Sequence, residues 1–280
     1  MSINKKIIAI QGYAGSYHEQ VAHEYYGEEV IIKYCRSFRE VLDSLRSGTV
    51  DEVIMAIANN RYGFITEPYA LLMDDEGVTL QIIGEHTIRI EHSLLGIETS
   101  DNSTVTEIHS QSYAIGQCRK FIEINYPNAI LVEQDDTALA AEYVKNTNNP
   151  EIACIASSVA GSKNNLKTIE KSVQDDVNNL TRFLILARTG EDSALDTNKS
   201  SILMQTSNST GSLADCLLEF KNTGINISLL HSSFVNNSDF TMKFWLEFDA
   251  GWQESQTKEL IRLLQNDHKA KIQLLGSYKK

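Results

Sequence analysis

From residue 5 the chain alternates short apolar runs with amphipathic stretches, and this alternation constrains its fold more than any other feature. KKIIAIQG, EVIIKYC and EVIMAIA read as strands. SYHEQVAHEYYG and SFREVLDSLRSG between them read as helices. Ser16 with Glu19, and Ser37 with Glu40, have capping-box spacing, and Gly48 supplies a stop. Strand–helix alternation of this kind predicts βα units around a mainly parallel sheet. The tract LQIIGEHTIRIEHSLLGIE (80–98) is long, alternating and interrupted by Gly84, so it predicts two strands leading from one lobe into another. TEIHS, a helix near 112–125, AILVEQ, a helix near 136–146 and IACIAS then repeat the βα pattern, and 181–188 closes it as a buried strand.

The polar stretch 189–200, TGEDSALDTNKS, has no apolar period and reads as a linker. After it the order is strand, helix, strand, strand, helix, strand, which is βαββαβ, the ferredoxin-like arrangement. A length of 280 residues suits about two domains. The net charge of −12 argues against non-specific binding to nucleic acid or an anionic membrane, so any positive field must be local. No run is long enough to span a bilayer, and the apolar start IIAI is too short for a signal segment. Cys35, Cys118, Cys154 and Cys216 lack metal-type spacing, which predicts buried, reduced thiols, a cytoplasmic location and no metal.

Several blocks together resemble the bacterial prephenate dehydratase family. QDDVNNLTRFLIL is similar to its D-x-x-x-N-x-T-R-F block through Asp175, Asn179, Thr181, Arg182 and Phe183. GYAGSYH (12–18) is similar to the glycine-rich opening, with His18 where serine is usual. Asp136-Thr137-Ala138 and Ala153-Cys154-Ile155-Ala156-Ser157 match two more blocks, and Gly211-Ser212-Leu213 with INIS (225–228) match an ACT domain. Three blocks depart from the pattern. P-I-E-N-S/T reads Ala56-Ile57-Ala58-Asn59-Asn60, S-H-P-Q reads Ser110-Gln111-Ser112-Tyr113, and E-S-R-P reads His231-Ser232-Ser233-Phe234.

The resemblance implies an α/β fold. A two-lobed catalytic domain like the type II periplasmic binding proteins spans 1–188, with one lobe about 1–80 and 160–188 and the other about 81–159. A ferredoxin-like ACT domain follows at 201–280. It also implies a lyase of phenylalanine biosynthesis that turns prephenate into phenylpyruvate, carbon dioxide and water without a cofactor. Further implications are a phenylalanine effector and a homodimer or homotetramer. Thr181, Asn59 and Asn179 are implied as catalytic. Gly12, Gly15, Ser16, Tyr17, His18, Asn60, Ser110, Thr137, Arg182 and Phe183 are implied as substrate-binding. Gly211, Ser212, Leu213, Asn226, His231 and Ser232 are implied as effector-binding.

The chemistry sets its own demands. Prephenate carries two carboxylates and a ring hydroxyl that must leave with a proton. Gly12 and Gly15 let backbone approach an anion, and Ser16 opens a helix whose N–H groups suit a carboxylate. By itself the same stretch is also an ordinary capped βα turn. Arg182 is either a carboxylate clamp or a partner for Asp175 or Asp176, and Arg61 reads as a solvated loop residue. Ala58 cannot carry the proton that the family's glutamate can, and His18 titrates nearest neutrality among the substitutes. His86, His92 and His109 sit on strands, where hydrogen-bonded structural roles are usual. Asp74-Asp75, Asp135-Asp136 and Asp175-Asp176 are by default solvated or capping pairs. Two other functions remain open from the sequence: a non-catalytic prephenate- or amino-acid-binding paralogue, and a prephenate decarboxylase that does not aromatise.

Overall fold

The computed structural model describes residues 5–74, 80–190, 196–234 and 241–280. The first elements are β1 (Ile7–Gln11), α1 (Tyr17–Tyr26), β2 (Ile31–Cys35), α2 (Phe38–Arg46), β3 (Glu52–Asn59), β4 (Gly63–Phe64), α3 (Thr66–Met73) and β5 (Leu80–Arg89). Next come β6 (Ser93–Gly96), β7 (Glu107–Ser110), α4 (Ser112–Gln117), α5 (Arg119–Asn125), β8 (Ile130–Glu133), α6 (Thr137–Thr147), β9 (Ile152–Ala156), α7 (Ser158–Lys163), β10 (Lys167–Glu170) and β11 (Leu180–Arg188). The chain ends with β12 (Lys199–Gln205), α8 (Ser212–Thr223), β13 (Ile227–Phe234), β14 (Met242–Phe248), α9 (Ser255–Asn266) and β15 (Lys271–Tyr278).

The strands form three sheets. The first has the order β2-β1-β3-β11-β5, with β4 on β3, and the second β10-β6-β9-β7-β8. These are the two α/β lobes of the type II periplasmic-binding-protein-like fold. β7 runs parallel to β8 and β9, as βα units require. β6 and β10 are antiparallel, because the chain enters and leaves the second sheet through them. The third sheet, β13-β14-β12-β15, is antiparallel at each pairing and has the expected ferredoxin-like order.

By compactness the chain divides into two units, 1–41 with 54–64 and 86–183, and 42–53 with 65–85 and 184–280. The first unit holds one core around Leu94, Ile108, Ile122 and Ile155, and another around Leu95, Ala140, Val144 and Cys154. The second holds a core around Ile202, Phe220, Leu246, Phe248 and Leu260. All four cysteines are buried and unbridged.

Both predicted capping boxes form, each with a shift. Ser16 Oγ accepts the Glu19 N–H and Ser37 Oγ accepts the Glu40 N–H. The returning carboxylates take the N–H of Gly15 and Arg36, one residue ahead of each serine.

Three expectations are corrected. Gly84 does not break its tract; β5 runs through it, and the break falls at 90–92. There Ile90 N–H donates to Asn179 O, His92 N–H to Gln174 Oε1, and Val173 N–H to His92 O, so the two connections between the sheets run side by side. The helix expected near 112–125 is two helices, divided at Cys118. The Asp175 carboxylate caps the second by accepting the N–H of Lys120 and Phe121, and Asp175 N–H donates to Gln117 O. Of the expected linker, 191–195 lie outside the described residues, and Lys199 and Ser200 already belong to β12.

Candidate active site

The site starts where β3 ends. Asn59 is 8 % exposed, and its Nδ2 donates to Asn179 Oδ1 at 2.7 Å and to Thr181 Oγ at 2.8 Å. Its Oδ1 accepts the N–H of Arg61 and of Tyr62. Two backbone donors on one end of the amide fix which end is oxygen, so Nδ2 must be the donor to Thr181. The Thr181 hydroxyl accepts at its oxygen from Asn59, which leaves its own hydrogen to donate elsewhere. The three residues named as catalytic are thus one hydrogen-bonded cluster, all buried.

The next residues tie β3 to the entrance of β11. Asn60 N–H donates to Leu180 O, its Nδ2 to Asn178 O, and its Oδ1 accepts the Leu180 N–H. Arg61 is an exposed loop residue, as expected, and pairs there with Asp176. Asp175 is occupied in capping α5. In a strand successive side chains point to opposite faces. Thr181 and Phe183 therefore share one face of β11 and Arg182 takes the other. On β3, Asn59 is on one face and Ala58 on the other.

The glycine-rich turn is built tightly. Gly15 has φ +93°, and a Cβ there would lie 2.7 Å from Ala160 Cα. Ser157 Oγ also donates to Gly15 O. Gly15→Ala is expected to destabilise the protein by about 2–5 kcal/mol, from backbone strain plus collision. Urea denaturation measures this, and a loss under about 0.5 kcal/mol would mean that α7 moves aside freely. Glu19, buried behind the turn, accepts from Gly15 N–H, Tyr34 and Lys163. Burial raises its pKa, but the bonds from Lys163, Tyr34 and Gly15 outweigh that and hold it below its ordinary value. This internal carboxylate already occupies the Gly15 donor of the expected anion cradle. Gly12 faces Asp136, whose Oδ2 lies 3.0 Å from where a Cβ would stand. Burial pushes the Asp136 carboxyl up, against the N–H groups of Ala138 and Leu139 that it accepts as the cap of α6. Thr137 is the first residue of that helix.

His18 is corrected as a substitute acid. Its Nε2 accepts the Ala56 N–H, and its ring stands edge-on to Phe183 at 5.0 Å. Burial pulls its pKa to about 4, so it is neutral near pH 7. Tyr17 donates its hydroxyl to Glu91 O and meets His92 Nδ1 at 2.9 Å. Ser110 Oγ is spent on Ile155 O. The three histidines are hydrogen-bonded as expected, His86 on β5 to Glu24 and His109 on β7 to Glu107 and Gln134, while His92, bonded to Gln117 and Tyr17, lies in the break between β5 and β6 and not on a strand.

In the C-terminal unit a depression of about 400 Å³ is lined by Ser207, Ser209, Gly211, Ser212, Leu213 and Met242, among others. Gly211 (φ +85°) leads into α8, and Ser212 Oγ donates to Ser207 O. Three of the six expected effector residues meet here. The other three are not in its lining: Asn226 donates to Asp249, His231 packs its ring against Tyr69 at 4.8 Å, and Ser232 pairs across the sheet with Phe244, which does line it.

The two-lobed α/β fold, with a buried Asn–Asn–Thr cluster where β3 meets β11, sets the class of architecture, and comparison with known proteins gives the family. Residues 8–191 match the prephenate dehydratase family. The bifunctional chorismate mutase/prephenate dehydratase of Escherichia coli K12 is 28% identical over 275 residues, 97% of this chain and 70% of that protein. The crystal structure of prephenate dehydratase from Arthrobacter aurescens, solved with L-Phe, matches with TM-score 0.87 at 21% identity, over 98% of this chain and 90% of that one. GqqA, described as a novel type of quorum quenching acylase, matches with TM-score 0.88 at 26% identity over 98% of both chains. The chain belongs to the prephenate dehydratase family, and it is a lyase of that family.

Proposed function

We propose that the Thr181 hydroxyl, set by Asn59, is the donor that lets the ring hydroxyl of prephenate leave. The ring C–O bond breaks with Thr181 hydrogen-bonded to the departing oxygen, which leaves at the hydroxide level and takes a proton from solvent to become water. The C–C bond to the ring carboxylate breaks, carbon dioxide departs, and that electron pair completes the aromatic ring of phenylpyruvate. Threonine is a weak acid, so its contribution is a positioned hydrogen bond at the point where charge develops. The observation that carries the reading is the direction of the Asn59–Thr181 bond. Accepting from Asn59 makes the hydroxyl a better donor and a poorer nucleophile. This favours dehydration over an acyl-transfer role, the alternative suggested by the likeness to GqqA.

Ala58 is less damaging than the sequence suggests. It lies on the opposite face of β3 from Asn59, so an acid there would not point toward Thr181. Purified protein is expected to form phenylpyruvate from prephenate, and Ala58→Glu is expected not to raise kcat. Phenylpyruvate absorbance measures both. Absence of turnover by folded protein at high concentration would sink the proposed activity. A rise of about 10² or more in Ala58→Glu would show that the missing acid had been limiting.

The proposal extends to the C-terminal unit as an ACT domain. Its depression at Gly211 would take the carboxylate of phenylalanine on backbone N–H groups at the start of α8, and the protein would act as a homodimer or homotetramer in the cytoplasm. Supporting this are the ferredoxin-like order, the positive φ of Gly211 and the L-Phe held by the Arthrobacter relative. Among the described residues no helix is long and apolar enough to cross a membrane.

A further inference from the structure

Each of the residues 59–62 holds a different partner. Asn59 takes Asn179 and Thr181, Asn60 takes Asn178 and Leu180, and Arg61 takes Asp176. Tyr62 takes Tyr113 of α4, edge-to-face, with ring centroids 5.7 Å apart at 80°. Its hydroxyl also passes along α4, 3.5 Å from where a Cβ on Gly116 would stand. Tyr62 is 48% exposed and Tyr113 64%, so the core does not force either ring into place. The ring contact adds a hold on the turn at Tyr62, and the turn reaches the site through the N–H groups of Arg61 and Tyr62, both donated to Asn59 Oδ1. Tyr113 stands in SQSY and Tyr62 directly follows ANNR, so the contact joins two stretches of the chain that depart from the family pattern.

We propose that Tyr62 and Tyr113 are positioning residues for the dehydration. Their contact holds the 60–62 turn against Asn59, and Asn59 in turn holds the Thr181 hydroxyl in its donating orientation. Neither ring touches the reacting atoms; the pair sets how much of the time the donor is aligned. It rests on the reading that Thr181 is the donor.

Losing the ring contact should lower the aligned fraction, and so kcat, without removing a substrate contact. Tyr113→Ala is expected to lower kcat by about three- to tenfold with KM little changed, the size of one aromatic pair. Tyr113→Phe, which keeps the ring, is expected to recover most of that loss. Tyr62→Ala combined with Tyr113→Ala is expected to be no worse than the more affected single variant, because both remove one contact. Amide exchange at Tyr62 gives a readout independent of turnover. Protection falls in Tyr113→Ala and is kept in Tyr113→Phe. Unchanged exchange in Tyr113→Ala overturns the pair whatever the assay shows. A rise in KM or a lower melting temperature with kcat unchanged overturns the positioning role and leaves the rings as packing. Inactive wild-type protein removes the donor reading and the positioning role with it. Active wild-type with Tyr113→Ala unchanged removes only the positioning role.

Discussion

Thr181→Val lowers kcat by about 10²–10³-fold, the usual cost of removing one preorganised donor from a site of developing charge. Valine matches threonine in shape and in preference for a strand, so β11 should keep its path. Two effects must be separated. Valine removes the donated hydrogen, and it also leaves one Asn59 N–H facing a methyl group. The second effect costs about 1–3 kcal/mol of stability, because Asn59 is buried. It would appear as a lower denaturation midpoint, and the first as a lower kcat at temperatures where the variant is fully folded. Thr181→Ser restores the hydroxyl with a freer rotamer and is expected to lie between valine and wild type. Steady-state kinetics at several temperatures, with circular dichroism at each, resolves the two. Full activity in folded Thr181→Val would remove threonine from the reaction and return the choice of donor to other groups.

The βα alternation and the βαββαβ tail came directly from apolar period and caps, because both are local properties of the chain. Asn179 and Thr181 stand two positions apart in one motif and Asn59 about 120 positions away in another, and resemblance singled out all three before the fold was seen to join them in one hydrogen-bonded cluster. Features that depend on a partner far along the chain were not reachable. The break at Cys118 is made by Asp175, and local pattern showed only a continuous helix. Gly84 was read as a break because glycine is weak in isolated strands, but pairing within the sheet overrode it. His18 looked like an acid until burial against Phe183 and the Ala56 N–H made it a neutral core residue. His231 matched a ligand-binding block by position, whereas its ring packs on Tyr69. In each case the sequence supplied the residue type and the tertiary neighbour decided its role.

Lys199 is the strongest example, and its replacement should produce the largest loss of stability. The stretch DTNKS looks like solvated linker, yet the Lys199 ammonium is buried 2.8 Å from Glu85 and 2.9 Å from Glu247. Tyr278 donates its hydroxyl to the same Glu85 oxygen. One cation therefore serves two buried carboxylates drawn from β5 and β14, with β12 and β15 supplying the lysine and the tyrosine. Lys199→Met keeps the length of the side chain and removes the charge. It leaves two buried acids near each other without their shared counter-ion, which should cost about 3–5 kcal/mol. Breaking such a cluster costs more than the cluster itself contributes, because desolvation of the remaining charges is no longer offset. The combined variant Lys199→Met, Glu85→Gln, Glu247→Gln should accordingly recover much of the loss, since both acids lose their charge together. Urea midpoints of the single and combined variants test this directly. A single variant within about 1 kcal/mol of wild type would mean that water reaches the carboxylates and that the cluster is an exposed ion pair in energetic terms. A combined variant no better than the single one would locate the loss in packing around the lysine stem, and charge would then have little part in it.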